Sequence, residues 1–441
     1  MSEEALASFV AALDRDAIPD AVADRAGLAI ADTVGAILGG TSDPAVAALT
    51  AEWAERNGGQ STLFGTAGQR TSAYKAAFCN ATAGTVLELD EGHRFAAGHP
   101  AIHTLPAVLA DGEGSFKRGE ELLVAFVAGY EAAVRAARLV VPLTSGYHPH
   151  GTWGAVGAAA GVARLREFDA DRTLQAMRIA ANYAQHTRFA AATEGATVRN
   201  GYAGMSNLAG LLAADQAQAG FTGLADGVAR HLEPLAGEGL HRDALADGLG
   251  ETWELEHGYF KRHAACRYTH PVLDGLAALQ RDHEIDPADV TAVRVETYPA
   301  AAGLDEPHPR NALQAKFSIP FAVGTALTTG ETGKAAFTDE ALTAAADDIA
   351  ERVEVTVADD IAERVPDERG ARVIIELGEE TLTTEVRAAR GGEDDPFTEA
   401  ELKEKFGDLV APVIGAGQVE DLWTAAREPA APRVLCTLSR A

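Results

Sequence analysis

The feature that most constrains this chain is a change of hydrophobic period partway along it. Up to about residue 284 the apolar residues recur at helical spacing, and beyond it several stretches alternate with period two. Leu6, Phe9, Val10 and Leu13 share one helix face, and that helix stops before Pro19. Residues 26–38 repeat the pattern through Ile30, Val34, Ile37 and Leu38 and stop at Gly39 and Gly40. The runs 154–161 and 203–214 consist of small residues, which lets helix backbones approach closely and predicts buried helices. Arg164, Arg166 and Asp215 interrupt these runs too soon for a span of about 20 apolar residues. Strands are expected at 290–297, 353–357, 372–377 and 381–386, the last two joined by a Gly-Glu-Glu turn, with helices over 311–328 and 339–352 between them. Thr398 and Glu401 form a capping box for a helix through Leu409. The expected fold is mainly α: a large all-helical domain with a smaller α+β domain inserted, divided as 1–265, 266–397 and 398–441.

Charge narrows the partners. The 65 acidic residues outnumber 37 basic ones, for a formal net charge of -28, which repels phosphate backbones and anionic lipid surfaces. Neither nucleic acid nor a membrane is an expected partner. Only seven of the basic residues are lysine, and the acids are scattered rather than gathered in a tail, a composition that suits a halophilic host. The acidic opening MSEEALASFV does not resemble an export signal, so a cytoplasmic location is expected. Cys79, Cys266 and Cys436 are too widely separated for a disulfide scaffold or a zinc motif.

Five of the thirteen histidines fall in two loops at helix ends. One loop carries Glu88, Asp90, Glu91 and His93, then His99-Pro100 and His103; the other carries His148-Pro149-His150-Gly151-Thr152-Trp153. Each His-Pro pair precedes a helix start, whose free N–H groups and dipole favour a carboxylate ligand. A third cluster, 260–271, is the densest positive stretch of the acidic chain and includes Lys261, Arg262, Cys266, Arg267 and His270. A cationic pocket in an anionic protein suits a polycarboxylate, and imidazoles beside it can carry protons near neutral pH. Taken singly, each histidine reads as a capping or hydrogen-bonding residue, and the acidic run as a solvated surface. A metal reading would use His148, His150, Asp90 and His99, but His-x-His recurs by chance and no second fixed pair accompanies it. No metal and no cofactor are expected. Cys266 lacks the motif of a nucleophile, and G-x-S-x-G is absent.

Four segments in order, namely the acidic run before Gly98-His99-Pro100, then 148–155, then 261–271, then Lys316-Phe317-Ser318-Ile319-Pro320-Phe321, resemble the MmgE/PrpD family over essentially the whole chain. The family includes 2-methylcitrate dehydratase, cis-aconitate decarboxylase and iminodisuccinate epimerase. The resemblance implies a helical domain with an α+β lid, an active site in the cleft between them, and a homodimer. Carried over by motif, the catalytic positions are His99, His148, Lys261 and Asp90. Glu88, Glu91, Arg199, Cys266, Arg267 and His270 are then the substrate-binding ones. Arg199 stands where decarboxylase-like members usually carry Lys, and Phe321 where a Tyr is common; both departures speak against cis-aconitate decarboxylation. His150 replaces a residue that is usually small and polar, so His150→Thr is expected to be tolerated. The reaction expected is dehydration of a 2-methylcitrate-like tricarboxylate by histidine proton transfer. Epimerisation or decarboxylation are the enzymatic alternatives, and an acidic helical interaction protein with a vestigial pocket the non-enzymatic one.

Overall fold

The computed structural model of the protein describes residues 2–56, 58–342 and 344–441. The molecule is mainly α, and the helical periods of the first half become packed helices: Ser2–Ala12, Asp20–Gly40, Ala73–Val86, Pro100–Gly114, Gly119–Arg138, Gly154–Leu165 and Tyr202–Gln218. Their small residues sit at contacts. A β-carbon on Gly129 would lie 2.8 Å from the Gly157 carbonyl oxygen, so the helices carrying these two glycines meet backbone to backbone. The chain returns to this core at its end, where Glu399–Ile414 and Val419–Arg427 pack on Asp20–Gly40, and Pro432–Leu438 on Pro100–Gly114. Gly35 leaves the space that the Phe406 ring occupies. The predicted capping box forms, with the Glu401 N–H donating to Thr398 Oγ1 at 3.3 Å, but the helix continues beyond Leu409 to Ile414.

Pro106 lies inside Pro100–Gly114, where its missing N–H removes one helical hydrogen bond. Asn207 of the neighbouring helix repairs the break: Nδ2 donates to the Ile102 carbonyl at 2.9 Å, and Oδ1 accepts the Ala107 N–H at 2.8 Å. The helix that presents His99 and His103 is thereby kept continuous.

The period-two stretches form one four-stranded sheet in the order 353–357, 290–297, 371–377, 380–386. The first pair is parallel and the other two are antiparallel, with a register shift between Val290 and Ala292. The helices His270–Asp282 and Ile319–Thr329 pack on this sheet, and a second hydrophobic cluster fills the space between. Two expected helices are shorter. The stretch 311–328 splits into Ala312–Ala315 and Ile319–Thr329, because Ser318 Oγ accepts the Phe321 N–H at 3.0 Å and Pro320 starts a new helix. Only Ala344–Ala350 of 339–352 is α-helical, preceded by a 3₁₀ turn at Asp339–Ala341; Thr343 lies outside the described residues.

Candidate active site

The site is assembled where the acidic loop meets the basic segment. After the helix Ala73–Val86, Glu88 takes a left-handed backbone (φ 54°) and its N–H bonds the Thr85 carbonyl at 3.2 Å. That position usually falls to glycine, and a side chain there is strained by about 1–3 kcal/mol. Gly92–His93 then pairs antiparallel with Gly258–Tyr259, and a β-carbon at Gly92 would run into the Tyr259 ring. This short ladder delivers Lys261 to Glu88, where Nζ donates to the carbonyl oxygen at 3.0 Å and to Oε2 at 3.1 Å. Arg199, from the turn Thr197–Gly201, pairs with Oε1 of the same carboxylate and donates Nη1 to the Thr85 carbonyl at 3.3 Å. All three side chains are buried. Burial acts to raise the Glu88 carboxyl, but Arg199 and Lys261 outweigh it and hold the group well below its ordinary range. The trio carries one net positive charge.

Beside it lie four imidazoles. His99 Nδ1 donates to Asp90 Oδ2 at 2.8 Å in a buried pair, so in the neutral ring Nε2 is the basic nitrogen. His103 Nδ1 donates to the His99 carbonyl at 2.7 Å, and Gly154 has no side chain where the His103 ring sits. His148 Nδ1 accepts the His150 N–H at 3.0 Å, which leaves its own proton on Nε2. Its loop is clamped by Thr187, whose carbonyl accepts the His148 N–H at 2.9 Å and whose hydroxyl donates to the His148 carbonyl at 3.1 Å. His150 occupies the centre, with ring centroids 4.6 Å from His99, 4.8 Å from His103 and 4.8 Å from His148. Both of its ring nitrogens are buried without a partner. Burial first, then the charge of Arg199, push His148 well below the usual imidazole value, so a protonated His148 does not suit the free protein. Among the described residues no group of three or more His, Cys, Asp or Glu side chains could hold a metal ion.

Glu88, His99, His148, His150, Arg199, Cys266 and Arg267 open on one cavity of about 1160 Å³. Three expectations are corrected. Glu91 is a cap: it accepts the Ala101 N–H at 3.2 Å and the Tyr130 hydroxyl at 2.6 Å, so the N-terminus of Pro100–Gly114 is already occupied by the protein's own carboxyl group. His270 lies off the cavity wall, its Nε2 3.3 Å from the Ala265 carbonyl. Phe321 is in the hydrophobic core against Phe337, so the absence of a tyrosine hydroxyl there does not alter the cavity. Burial pushes the Cys266 thiol up to about 11, as for an unreactive core cysteine. Tyr268 and Phe317, from the segments 261–271 and 316–321, also face the cavity, as do Tyr259, Tyr298, Phe189 and Arg369, which carry no motif. Lys316, close to Glu88, is buried and held down to about 8 by that burial, with Glu88 opposing the shift.

Sequence comparison gives the family. The MmgE/PrpD N-terminal domain profile matches residues 4–231, which carry Glu88, Asp90 and the imidazoles, and the C-terminal domain profile matches 263–428. The cis-aconitate decarboxylase-like protein oryM of Aspergillus oryzae is 25% identical over 381 residues, covering 80% of this chain and 78% of that protein. Both halves of the chain match in order, so the protein belongs to the MmgE/PrpD family.

Proposed function

We propose that the protein is a cofactor-independent lyase that moves a proton at a carbon beside a carboxylate, with a 2-methylcitrate-like tricarboxylate as substrate. The observation that carries this reading is one large cavity on which Glu88, Arg199 and His99 open, with Lys261 buried against Glu88 and Asp90 buried against His99. A carbon acid of this kind is very weak, and its dianionic transition state needs fixed cations as well as a base. His99 Nε2 takes the proton, Asp90 holds the ring in the required tautomer, and Arg199 stabilises the carboxylate as it gains charge, with Lys261 offsetting the charge of Glu88 from behind. An entering polycarboxylate brings negative charge beside His148, so its protonated form becomes accessible in the complex once Nδ1 releases the His150 N–H. His148 then gives its proton to the departing hydroxyl; one proton is taken and one returned, and solvent resets both rings. The segment 266–397, which contributes Arg267, Phe317 and Arg369 to the cavity, acts as the lid.

Incubation of the purified protein with 2-methylcitrate tests this by the absorbance of the conjugated alkene. Its absence overturns the substrate assignment. A second reading, decarboxylation of cis-aconitate, is favoured by the relative's name and by the removal of Phe321 from the argument against it. Carbon dioxide release from cis-aconitate, with no alkene from 2-methylcitrate, selects it.

A further inference from the structure

The trio around Glu88 accounts for one carboxylate of a substrate. On the same cavity, Arg267, Arg369 and Tyr298 form a wall shared with a small annex of about 70 Å³. In this acidic chain both guanidinium groups lack a carboxylate within ion-pair distance among the described residues. Arg267 is held by neutral acceptors, with Nη1 donating to the Arg390 carbonyl at 2.8 Å and Nη2 to the Ala389 carbonyl at 2.7 Å, and it lies 4.4 Å from the centre of the Tyr259 ring. Arg369 donates Nη2 to the Arg94 carbonyl at 2.8 Å, and its remaining donors have no hydrogen-bond partner among the described residues. Of the four acids lining the annex, Asp394 lies 3.9 Å from Arg94, Glu393 3.2 Å from His257 and Asp395 3.5 Å from Arg390, while Asp367 makes no ion pair among the described residues. Tyr298 is 3% exposed, yet its hydroxyl has no hydrogen-bond partner. Two unpaired guanidiniums and an orphaned buried hydroxyl on one wall are groups awaiting an anion, since leaving them unpartnered is costly.

We propose that Arg267, Arg369 and Tyr298 form a second carboxylate subsite, which selects substrates with at least two carboxylates: one seated at Arg199, with the charge of Lys261 behind Glu88, the other on this wall. The proposal rests on the polycarboxylate reading above and adds to it the group that measures the substrate's length. Arg267 is fixed by its carbonyl partners and supplies orientation, whereas Arg369, tethered by one bond, can turn towards the ligand.

Calorimetric titration with citrate tests it on the full chain and its Arg369→Gln, Arg369→Lys, Tyr298→Phe and Lys261→Met variants. The expected result is a citrate affinity weaker by roughly 10- to 100-fold in Arg369→Gln, and by roughly 5- to 10-fold in Tyr298→Phe. Arg369→Lys, which keeps the charge, should recover most of the loss; a merely structural role for the Arg94 contact would not give that recovery. Citrate binding that Lys261→Met weakens but Arg369→Gln and Tyr298→Phe leave unchanged overturns the subsite alone. Citrate binding indifferent to Lys261→Met overturns the polycarboxylate reading, and no citrate binding by the wild type overturns both. Should Arg369→Gln fail to fold, Tyr298→Phe, which removes one oxygen, carries the same comparison.

Discussion

Replacing Asp90 by Asn tests the assignment of His99 as the base. The 2.8 Å contact between Asp90 Oδ2 and His99 Nδ1 is buried, so the carboxylate both fixes the tautomer and opposes the charge of the imidazolium formed during proton transfer. With charge centres about 4 Å apart and an effective dielectric of about 20, that attraction is about 4 kcal/mol, or about three decades in rate. An asparagine fills the same space, and its amide N–H donates to Nδ1, so the proton is driven onto Nε2, where it blocks abstraction. Asp90→Asn is therefore expected to keep the fold and lower kcat by about 10³, with KM altered much less because the cations at Lys261 and Arg199 are untouched. Steady-state kinetics on the acid that the wild type turns over, with a circular dichroism melt as the control for folding, gives the answer. A kcat within about threefold of wild type would refute the assignment and move the base to His148.

Other perturbations address the surrounding structure. His150→Thr trades lost packing against relief of two buried unpaired nitrogens, so the denaturation midpoint should move little, while kcat falls about tenfold as His99 and His148 lose the ring between them; unchanged turnover would return His150 to the tolerated position that sequence suggested. Burial raises the Glu91 carboxyl from 4.5 to about 8, so the folded state keeps a proton that the unfolded chain releases, and stability falls as pH rises through that window. Glu91→Gln should flatten urea stability between pH 5 and pH 8, by up to about 4 kcal/mol as an upper bound; an equal slope in both proteins would contradict it. Asn207→Leu strands the Ile102 carbonyl and the Ala107 N–H and should cost about 3–5 kcal/mol in chemical denaturation. Adding Pro106→Ala should recover part of that loss, and a lack of coupling between the two changes would rule out the repair.

The helices and the sheet were legible because their periods are long and uninterrupted, as in the Leu6–Leu13 face and the strands around the Gly378 turn. The split at Ser318 was present in the sequence, as a capping serine followed by Pro320, but the apolar run 319–327 reads through it. In the site, Glu88, Asp90, His99, His148 and Lys261 came to notice through local composition. Their contacts could not, since a two-residue ladder between Gly92–His93 and Gly258–Tyr259 brings together segments that the period does not mark. Tyr298 and Arg369 sit next to strand ends, in no motif, and only the folded sheet turns them to the cavity. Glu91 misled because a buried cap and a solvated acid look alike in sequence; the proline-started helix nine residues on was the available signal.

The role proposed for His99 is to move a proton at a carbon beside a carboxylate, a step common to dehydration, decarboxylation and epimerisation. Its most direct test is proton NMR of candidate polycarboxylates incubated in deuterium oxide with the wild type and with His99→Gln. Deuterium entering at the carbon beside a carboxylate with the wild type, and slower by at least about 10² with His99→Gln, is the predicted result. Exchange at the same rate in both proteins, or turnover of any of these acids that His99→Gln does not slow, would contradict it.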